Sequence, residues 1–274
     1  LITAYFIIMM LFASWCFLKF SKDVAIGIIL FSIFIYFGLT NMPWLPLILI
    51  YGLIGFKIGG LKLSLTIVAS FLFITFTGVL PQALLSIYLC GIAVIISFIL
   101  GSSLGIWAAH NDKVSAFMRP INDTMQTMPS FVILIPFVMF FGIGEFTALL
   151  AIIAYAFVPA MRYTEHGLRN LPETVIEAAR MIGCSQTQLL WKVKIPLAMP
   201  VIMLGLNQTI MFGLAMLVIA ALVGTTGLGQ LIYIGLSKAD FGTGMISGVS
   251  IALIAIIFDR TTQAWRIKLE KKTQ

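Results

Sequence analysis

The chain has 274 residues, of which 61% are hydrophobic and only 10% are charged. Soluble domains carry about 25% charged residues, so this composition excludes an ordinary soluble protein. The net charge of +7 could indicate nucleic-acid binding in a soluble protein, but here Lys and Arg flank apolar runs, where they set membrane topology. We therefore expect an integral membrane protein with no nucleic-acid partner.

The apolar runs are continuous, with no alternation of polar and apolar residues, which predicts helical spans. The fold class predicted from composition and pattern is an all-α, polytopic helical membrane bundle. The run at 44–56 is short enough to be re-entrant. Charge, Pro and Gly bound nine candidate spans, at 1–18, 24–40, 44–56, 63–79, 83–109, 129–142, 146–163, 199–223 and 245–262.

The basic residues predict orientation. With nine spans, the segments that hold Lys and Arg fall on one side, including a loop with Lys113 and Arg119, and only Lys238 lies opposite. Because basic residues are enriched on the cytoplasmic side, we expect the N-terminus outside and the C-terminus inside. The chain then divides into additional N-terminal transmembrane helices at 1–62, a core at 63–262 and a basic cytoplasmic tail at 263–274.

Small residues recur at four-residue spacing in two spans. Ser97, Gly101 and Gly105 share one helix face, and Gly244 and Gly248 share another. Such faces let helices approach closely in lipid. We expect them to pack within the chain, with a dimer interface as the alternative.

The longest strongly polar segment is 173–196, in a predicted cytoplasmic loop at 164–198. Pro172 suits the first position of a helix, and Glu173 and Glu177 follow in the early turns, where they favour the helix dipole. The segment therefore predicts a helix outside the membrane that binds a soluble partner protein. An amphipathic helix lying on the bilayer is the alternative.

A turn and a second helix are expected to follow. Gly183 supplies a C-terminal stop, and Ser185 with Gln188 forms a capping-box pattern. We expect the second helix to end before Pro196 and the chain to re-enter the membrane near Pro200.

The loop resembles the EAA loop of permease subunits in binding-protein-dependent ABC importers. The match consists of Glu177-Ala178-Ala179, three residues, Gly183, nine residues and Val193-Lys194-Ile195-Pro196, with Val193 and Ile195 replacing the family's Ile and Leu. The resemblance looks closest to glycine betaine/proline-type osmoprotectant permeases. Its further motifs are Met125–Phe131, Phe140–Gly144, Pro196–Pro200, Gly205–Thr209, Gly227–Gln230 and Asp259–Arg260.

The resemblance implies a MetI-like transmembrane domain of a type I ABC importer, with a permease core at 63–262. It implies a homodimer in the bacterial inner membrane, two cytoplasmic ATP-binding subunits and an external substrate-binding protein. The chain would not be an enzyme by itself and would hold no cofactor, since ATP and Mg would bind the partner subunit. The resemblance assigns ATPase coupling to Glu173, Glu177, Ala178, Ala179, Arg180, Gly183 and Pro196.

The solutes implied are small quaternary-amine or zwitterionic osmolytes. Glycine betaine, proline betaine, choline, carnitine and trimethylamine N-oxide are not separated by this sequence. The closing of the ATPase subunits would move the coupling helices and switch the path from inward to outward facing. We expect the outer loop at 224–243 to dock the binding protein.

Uncharged polar residues in or beside the spans are candidates for the translocation path or its gate, with interhelical hydrogen bonding as the alternative role. Metal or catalytic roles for His110 and His166 are not expected, because no ligand cluster accompanies them. The path candidates are Gln126, Thr127, Met128, Pro129, Asn207 and Gln208.

Three other functions remain open from the sequence. The first is a permease of the same fold for another solute, such as an amino acid. The second is an ion-coupled secondary transporter, against which the near absence of mid-span ionisable residues argues. The third is a membrane scaffold whose loop recruits a cytosolic partner.

Overall fold

The computed structural model describes residues 44–273, and the regular structure in this range is helical. The candidate spans 1–18 and 24–40 lie outside the described residues. In chain order the helices are α1 (Trp44–Phe76), α2 (Leu80–His110), α3 (Asp112–Thr127), α4 (Ser130–Phe141), α5 (Glu145–Arg169), α6 (Glu173–Met181), α7 (Gln186–Val223), α8 (Leu228–Ser237) and α9 (Phe241–Thr273).

The predicted all-α, polytopic membrane bundle is confirmed. Within residues 44–273, five helices are long and apolar enough to cross a bilayer, and a sixth span forms if the bent pair α3–α4 counts as one. The five are α1, α2, α5, α7 and α9, of which α1 meets the length criterion only through the summed length of two arms that meet at Gly60. α9 continues to Thr273, through most of the segment at 263–274 that was predicted to be a basic cytoplasmic tail.

α1 is a helical hairpin whose two arms meet at Gly60, where the backbone leaves the helix with φ of 76°. The arms run antiparallel, because Ser64 Oγ donates to Gly52 O at 2.9 Å and the rings of Tyr51 and Phe71 lie 5.3 Å apart. The first arm, 44–59, is roughly 24 Å long at 1.5 Å per residue, short of the bilayer core of about 30 Å. The break falls next to the predicted domain boundary at 62/63.

α3 replaces the loop that was predicted to hold Lys113 and Arg119. Asn111 caps its first turn, its Oδ1 accepting from Lys113 N at 3.0 Å, which is a standard way to start a helix. A bend of 103° separates α3 from α4. Met128 is extended there, with ψ of 135°, because a residue before proline is driven out of the helical region.

α2 and α5 pack through the small-residue face predicted from the sequence. A Cβ at Gly101 would lie 2.5 Å from Phe157 O, and one at Gly105 would lie 2.6 Å from Met161 O. Ser97 Oγ also donates to Ile153 O at 3.3 Å. The face is therefore used for packing inside the chain, as expected.

α8 packs beside the start of α9. A Cβ at Gly235 would lie 2.6 Å from Gly244 N, whereas one at Gly248 would meet no heavy atom within 4 Å. Gly244 therefore takes part in intrachain packing and Gly248 does not. Asp240 joins the two helices, and the hydrogen bond from the Thr243 hydroxyl, at 2.7 Å, lowers the pKa of its carboxyl.

Contacts between helices show which helix ends lie together. Lys268 Nζ donates to Lys57 O at 2.6 Å, which ties the α1 bend to the end of α9. α5 and α7 run antiparallel, because a Cβ at Gly167 would lie 3.1 Å from Val201 Cβ and one at Gly213 would lie 3.8 Å from Ile152 Cγ2. The start of α7 therefore lies beside the end of α5. That the basic segments are cytoplasmic stays a prediction.

Candidate coupling loop and translocation cavity

α6 ends in a tight turn that Gly183 makes possible. Gly183 has φ of +84°, a left-handed conformation that residues with a Cβ adopt at a cost of roughly 1–2 kcal/mol. Gly183 N donates to Arg180 O at 2.9 Å and Cys184 N donates to Ala179 O at 3.2 Å. These two bonds form a Schellman motif, which satisfies the final carbonyls of α6 and directs the chain back.

The apolar residues of α6 divide between two environments. Ala179 is 8% exposed and faces the protein. Met181 is 89% exposed and Ile182 is 84% exposed, while Val175 at the other end is 40% exposed. The apolar residues of α6 and of its C-cap are therefore not buried as a unit, since Val175, Met181 and Ile182 are exposed.

The predicted capping box is present. Ser185 Oγ accepts from Gln188 N at 3.3 Å, and Gln188 Oε1 accepts from Ser185 N at 3.0 Å. This reciprocal pair starts α7 directly after the turn. α6 and α7 are therefore joined by four residues with defined hydrogen bonds.

The prediction that the second helix ends before Pro196 is wrong. α7 continues through Pro196 and Pro200 to Val223. A wide π-helical turn at Leu189–Lys194 precedes Pro196, and Ile195 N donates to Leu190 O, five residues back. Such a turn relieves the clash that a proline ring makes with the preceding turn of an ordinary helix.

The predicted loop at 164–198 is partly helical at both ends. α5 continues to Arg169 and α7 begins at Gln186, so both ends of that range lie in long helices. Pro172 leads into α6. Of the proposed coupling residues, Gly183 lies in the turn, Pro196 lies on α7, and the others lie on α6, namely Glu173, Glu177, Ala178, Ala179 and Arg180.

A cavity of about 740 Å³ lies among α3, α5 and α7. Gln126 of α3 and Gln208 of α7 line it, as do Tyr163 of α5 and Phe212 of α7. Phe212 is held by a stacked contact with Tyr155, with ring centroids 5.1 Å apart. Two of the six predicted path residues therefore share one polar cavity.

The other four predicted path residues lie elsewhere. Thr127 is exposed and its hydroxyl donates to Asp123 O at 2.9 Å, while Met128 packs against the main hydrophobic core. Pro129 precedes α4 at the bend. Asn207 faces α9, where its Nδ2 donates to Asp259 Oδ1 at 2.9 Å. This contact matches the alternative role, interhelical hydrogen bonding.

Arg162 lies on α5 and faces the cavity. Its two terminal nitrogens hold Asp123 Oδ1 and Gln126 Oε1 of α3. The sequence contained a signal for this contact, because Asp123 and Gln126 lie at i,i+3 and so share a face of α3. Their partner, 39 residues beyond Asp123, could not be identified without the fold.

Arg169 forms a second cluster at the charged end of the cavity. Its three guanidinium nitrogens contact Asp112 Oδ1 at 2.8 Å, Glu165 Oε1 at 3.0 Å and Ala108 O at 2.7 Å. Ser115 Oγ donates to the same Glu165 Oε1. Arg169 thus fastens the end of α5 to the corner between α2 and α3.

Two glycine-containing loops meet at the opposite end of the bundle. A Cβ at Gly224 would lie 3.0 Å from Ile143 Cγ2, and Thr226 Oγ1 donates to Glu145 Oε1. The predicted binding-protein loop at 224–243 is mostly folded, since it contains α8. In the described range, no group of three or more His, Cys, Asp or Glu is placed to hold a metal ion.

Comparison with known proteins places this arrangement in a family. The chain is 40% identical over 226 residues to the glycine betaine/proline betaine transport system permease protein ProW of Escherichia coli, covering 82% of this chain and 64% of that protein. It is 42% identical to the trimethylamine N-oxide transport system permease protein TmoV of Pelagibacter ubique, covering 82% of this chain and 31% of that protein. The chain thus spans less than two thirds of the length of both relatives.

A third relative is matched over almost its full length. The glycine betaine transport system permease protein OpuAB of Bacillus subtilis is 36% identical over 266 residues, covering 96% of this chain and 94% of that protein. Among solved structures, an inward-facing MetNI methionine ABC transporter superposes with a TM-score of 0.61 at 18% identity, covering 70% of this chain and 95% of that chain. This likeness confirms the predicted MetI-like fold.

Residues 101–265 match the family described as the binding-protein-dependent transport system inner membrane component. The match includes the cavity, the coupling loop and most of α9. The protein is therefore a multi-pass, inner-membrane member of the binding-protein-dependent transport system family.

Proposed function

We propose that the chain is the translocation subunit of an ATP-driven importer for small quaternary-amine or zwitterionic osmolytes. Family membership and the names of the three relatives support this proposal. ATP and Mg would be bound by a separate cytoplasmic subunit, present in two copies, and an external binding protein would deliver the solute. The permease would be a homodimer with its C-terminus in the cytoplasm.

The observation that carries the proposal is the connection from α6 to the cavity. α6 exposes Met181 and Ile182 at 89% and 84%, and large apolar side chains on a short helix suit a groove on a partner. The Schellman turn and the capping box join α6 to α7 through a defined backbone path. α7 in turn carries Gln208 into the cavity. A displacement of α6 would therefore reach the cavity as a movement of α7.

Through this connection, closure of the ATPase subunits would act on the cavity. When ATP draws the two ATPase subunits together, the two α6 helices would approach each other and α7 would tilt with them. The cavity would close on the α6 side and the loops at Ile143 and Gly224 would part on the other side. Hydrolysis would then return the subunit to the inward-open state.

The test is partner identification after mild-detergent purification from native membranes. The intact chain is compared with the double variant Glu177→Lys plus Gly183→Val, and with Gly91→Ala as a control, since a Cβ at Gly91 meets no heavy atom within 4 Å. We expect an ATP-binding subunit to copurify with the intact chain and the control but not with the double variant. Absence of an ATPase from the intact chain, in membranes where the complex survives, would contradict the proposal.

The solute class is tested separately by ATP-driven uptake in proteoliposomes that contain the complex and its binding protein. We expect uptake of glycine betaine that proline betaine or trimethylamine N-oxide reduces by competition. Uptake of an amino acid without uptake of any of these osmolytes would replace the solute class and leave the transport mechanism in place. Uptake that depends on a proton or sodium gradient and not on ATP would overturn the mechanism.

A further inference from the structure

The two ends of the cavity are lined by different kinds of residue. Charged residues, among them Arg119, Arg169 and Glu165, line the end beside the start of α3 and the end of α5. Farther in, the lining consists of the amides Gln126 and Gln208 and of aromatic rings. A solute that carries both charges would therefore meet charged side chains at one end of the cavity, and amides and aromatic rings at the other.

Arg162 stands between these two regions. Its side chain is 42% exposed, and it contacts one oxygen of Asp123 and one of Gln126 through separate nitrogens. Two oxygens on the two terminal nitrogens of a guanidinium are what a bidentate carboxylate would supply. The two α3 side chains therefore occupy a site with the geometry of a carboxylate receptor.

The contact with Asp123 is suited to exchange. The Asp123 side chain is 60% exposed, and ion pairs between solvent-exposed side chains contribute only about 0–1 kcal/mol. The carboxylate of a solute can therefore displace Asp123 from Arg162 at little cost. Arg169 is unsuited to this role, because all three of its nitrogens already contact oxygens of Asp112, Glu165 and Ala108.

Aromatic rings line the same cavity. Tyr163 follows Arg162 on α5, and Phe212 approaches from α7 with its ring fixed by Tyr155. Ring faces attract quaternary ammonium groups, which cannot donate an N–H hydrogen bond. The cavity thus offers a guanidinium and two aromatic rings, of Tyr163 and Phe212, to one solute.

We propose that Arg162 receives the carboxylate of a zwitterionic quaternary amine in this cavity, with Tyr163 and Phe212 receiving its ammonium group. Asp123 takes the place of the solute carboxylate on Arg162 when the cavity is empty. This inference rests on the proposed function and adds a solute site within the permease itself.

The test measures direct binding to the whole transporter complex in nanodiscs, without the external binding protein. Radiolabelled glycine betaine, which has a carboxylate, is compared with radiolabelled choline, which has the quaternary ammonium group and no carboxylate. The variants are Arg162→Gln, Arg162→Lys and Asp123→Asn. Arg260→Gln serves as the control, because Arg260 is 63% exposed and does not line the cavity.

We expect Arg162→Gln to weaken glycine betaine binding by about tenfold or more, equivalent to about 1.4 kcal/mol, and to leave choline binding within about twofold. Arg162→Lys keeps the positive charge but loses the paired N–H donors of the guanidinium, so its affinity for glycine betaine should lie between those of wild type and Arg162→Gln. Asp123→Asn should tighten glycine betaine binding, because the competing carboxylate is gone. Basal ATPase activity of each variant shows whether the complex is intact.

Equal glycine betaine affinity in wild type and Arg162→Gln would overturn the inference. So would equal losses of glycine betaine and choline binding in Arg162→Gln. A wild-type complex that imports glycine betaine with its binding protein but binds none without it would also overturn the inference and leave the proposed function standing. Failure of the wild-type complex to import any osmolyte with ATP would overturn the proposed function, and this inference with it.

Discussion

Asn207 and Gln208 are consecutive residues of α7, but their side chains lie in different surroundings. Asn207 is 9% exposed and bridges to α9, donating to Asp259 Oδ1 at 2.9 Å and accepting from Thr262 Oγ1 at 2.8 Å. Gln208 lines the cavity. Successive residues on a helix point about 100° apart, so α7 presents one polar residue to its neighbour α9 and the next to the cavity.

Replacing these two neighbours by leucine should therefore separate stability from transport. Asn207→Leu removes one of two amides that bond the Asp259 carboxylate, leaving Gln263, and should lower stability by about 1–3 kcal/mol. Gln208→Leu should leave assembly intact and alter the rate of uptake. Thermal unfolding in detergent followed by size exclusion, together with uptake in proteoliposomes, measures both effects. An Asn207→Leu protein as stable as wild type would show that the network does not support the fold.

The close approach of α2 and α5 predicts a steep penalty for any side chain at Gly101. In Gly101→Ala the new Cβ would lie 2.5 Å from Phe157 O and 2.7 Å from Ala160 Cβ, so the helices must separate. We expect a loss of about 1–3 kcal/mol, the usual cost of overpacking. Gly91→Ala on the same helix is the matched control, since its Cβ meets no heavy atom within 4 Å, and it should leave the melting temperature unchanged or raised. Equal melting temperatures for the two variants would contradict the packing argument.

Gly183 should be sensitive to the backbone conformation that the new residue allows. Gly183→Val forces a β-branched residue to a φ of +84°, where bulky residues are strained, whereas Asn tolerates that region. The space around Gly183 is open, with no heavy atom within 4 Å of a Cβ, so the effect comes from backbone strain and not from a clash. We expect Gly183→Val to reduce ATP-driven uptake severalfold while the protein still inserts, and Gly183→Asn to retain much more. Similar uptake by the two variants would count against the role of this turn in coupling.

Arg169 should contribute to stability through its three contacts at the corner between α2 and α3. Arg169→Gln removes contacts to Asp112, Glu165 and the Ala108 carbonyl. The side chain is 31% exposed, so solvent screening reduces each contribution, and we expect a total loss of about 1–2 kcal/mol. Arg260→Gln is the comparison, because its contact to Asp259 is long, at 3.9 Å, and its side chain is 63% exposed. A larger loss of stability in Arg260→Gln than in Arg169→Gln would refute the argument.

Several local features were predictable because they depend on short stretches of chain. The Gly183 turn and the Ser185–Gln188 capping box each involve hydrogen bonds over five residues or fewer, and their residue types are tied to those conformations. The membrane class follows in the same way from the number of consecutive apolar residues. Neither depends on where the rest of the chain lies.

Other features were missed because their partners are distant in sequence. Asp123 and Arg162 are 39 residues apart, and Asn207 and Asp259 are 52 residues apart. Whether a polar residue in a span faces a cavity or another helix depends on helix rotation, which the packing of neighbouring helices sets. Asn207 and Gln208 were therefore equal candidates for the path until their surroundings were known.

Apolar length, glycine conformation and local hydrogen bonding each act over one span or one turn. A helical, multi-pass membrane protein with a capped helix–turn–helix loop could therefore be predicted from the chain alone. Contacts between helices were needed to show that the small-residue face of α2 packs within the chain, that α1 folds into a hairpin, and that α7 runs through Pro196. Those contacts also determine which side chains share the cavity. These outcomes come from contacts between helices far apart in sequence, and no local pattern specifies which helices meet or which faces they present.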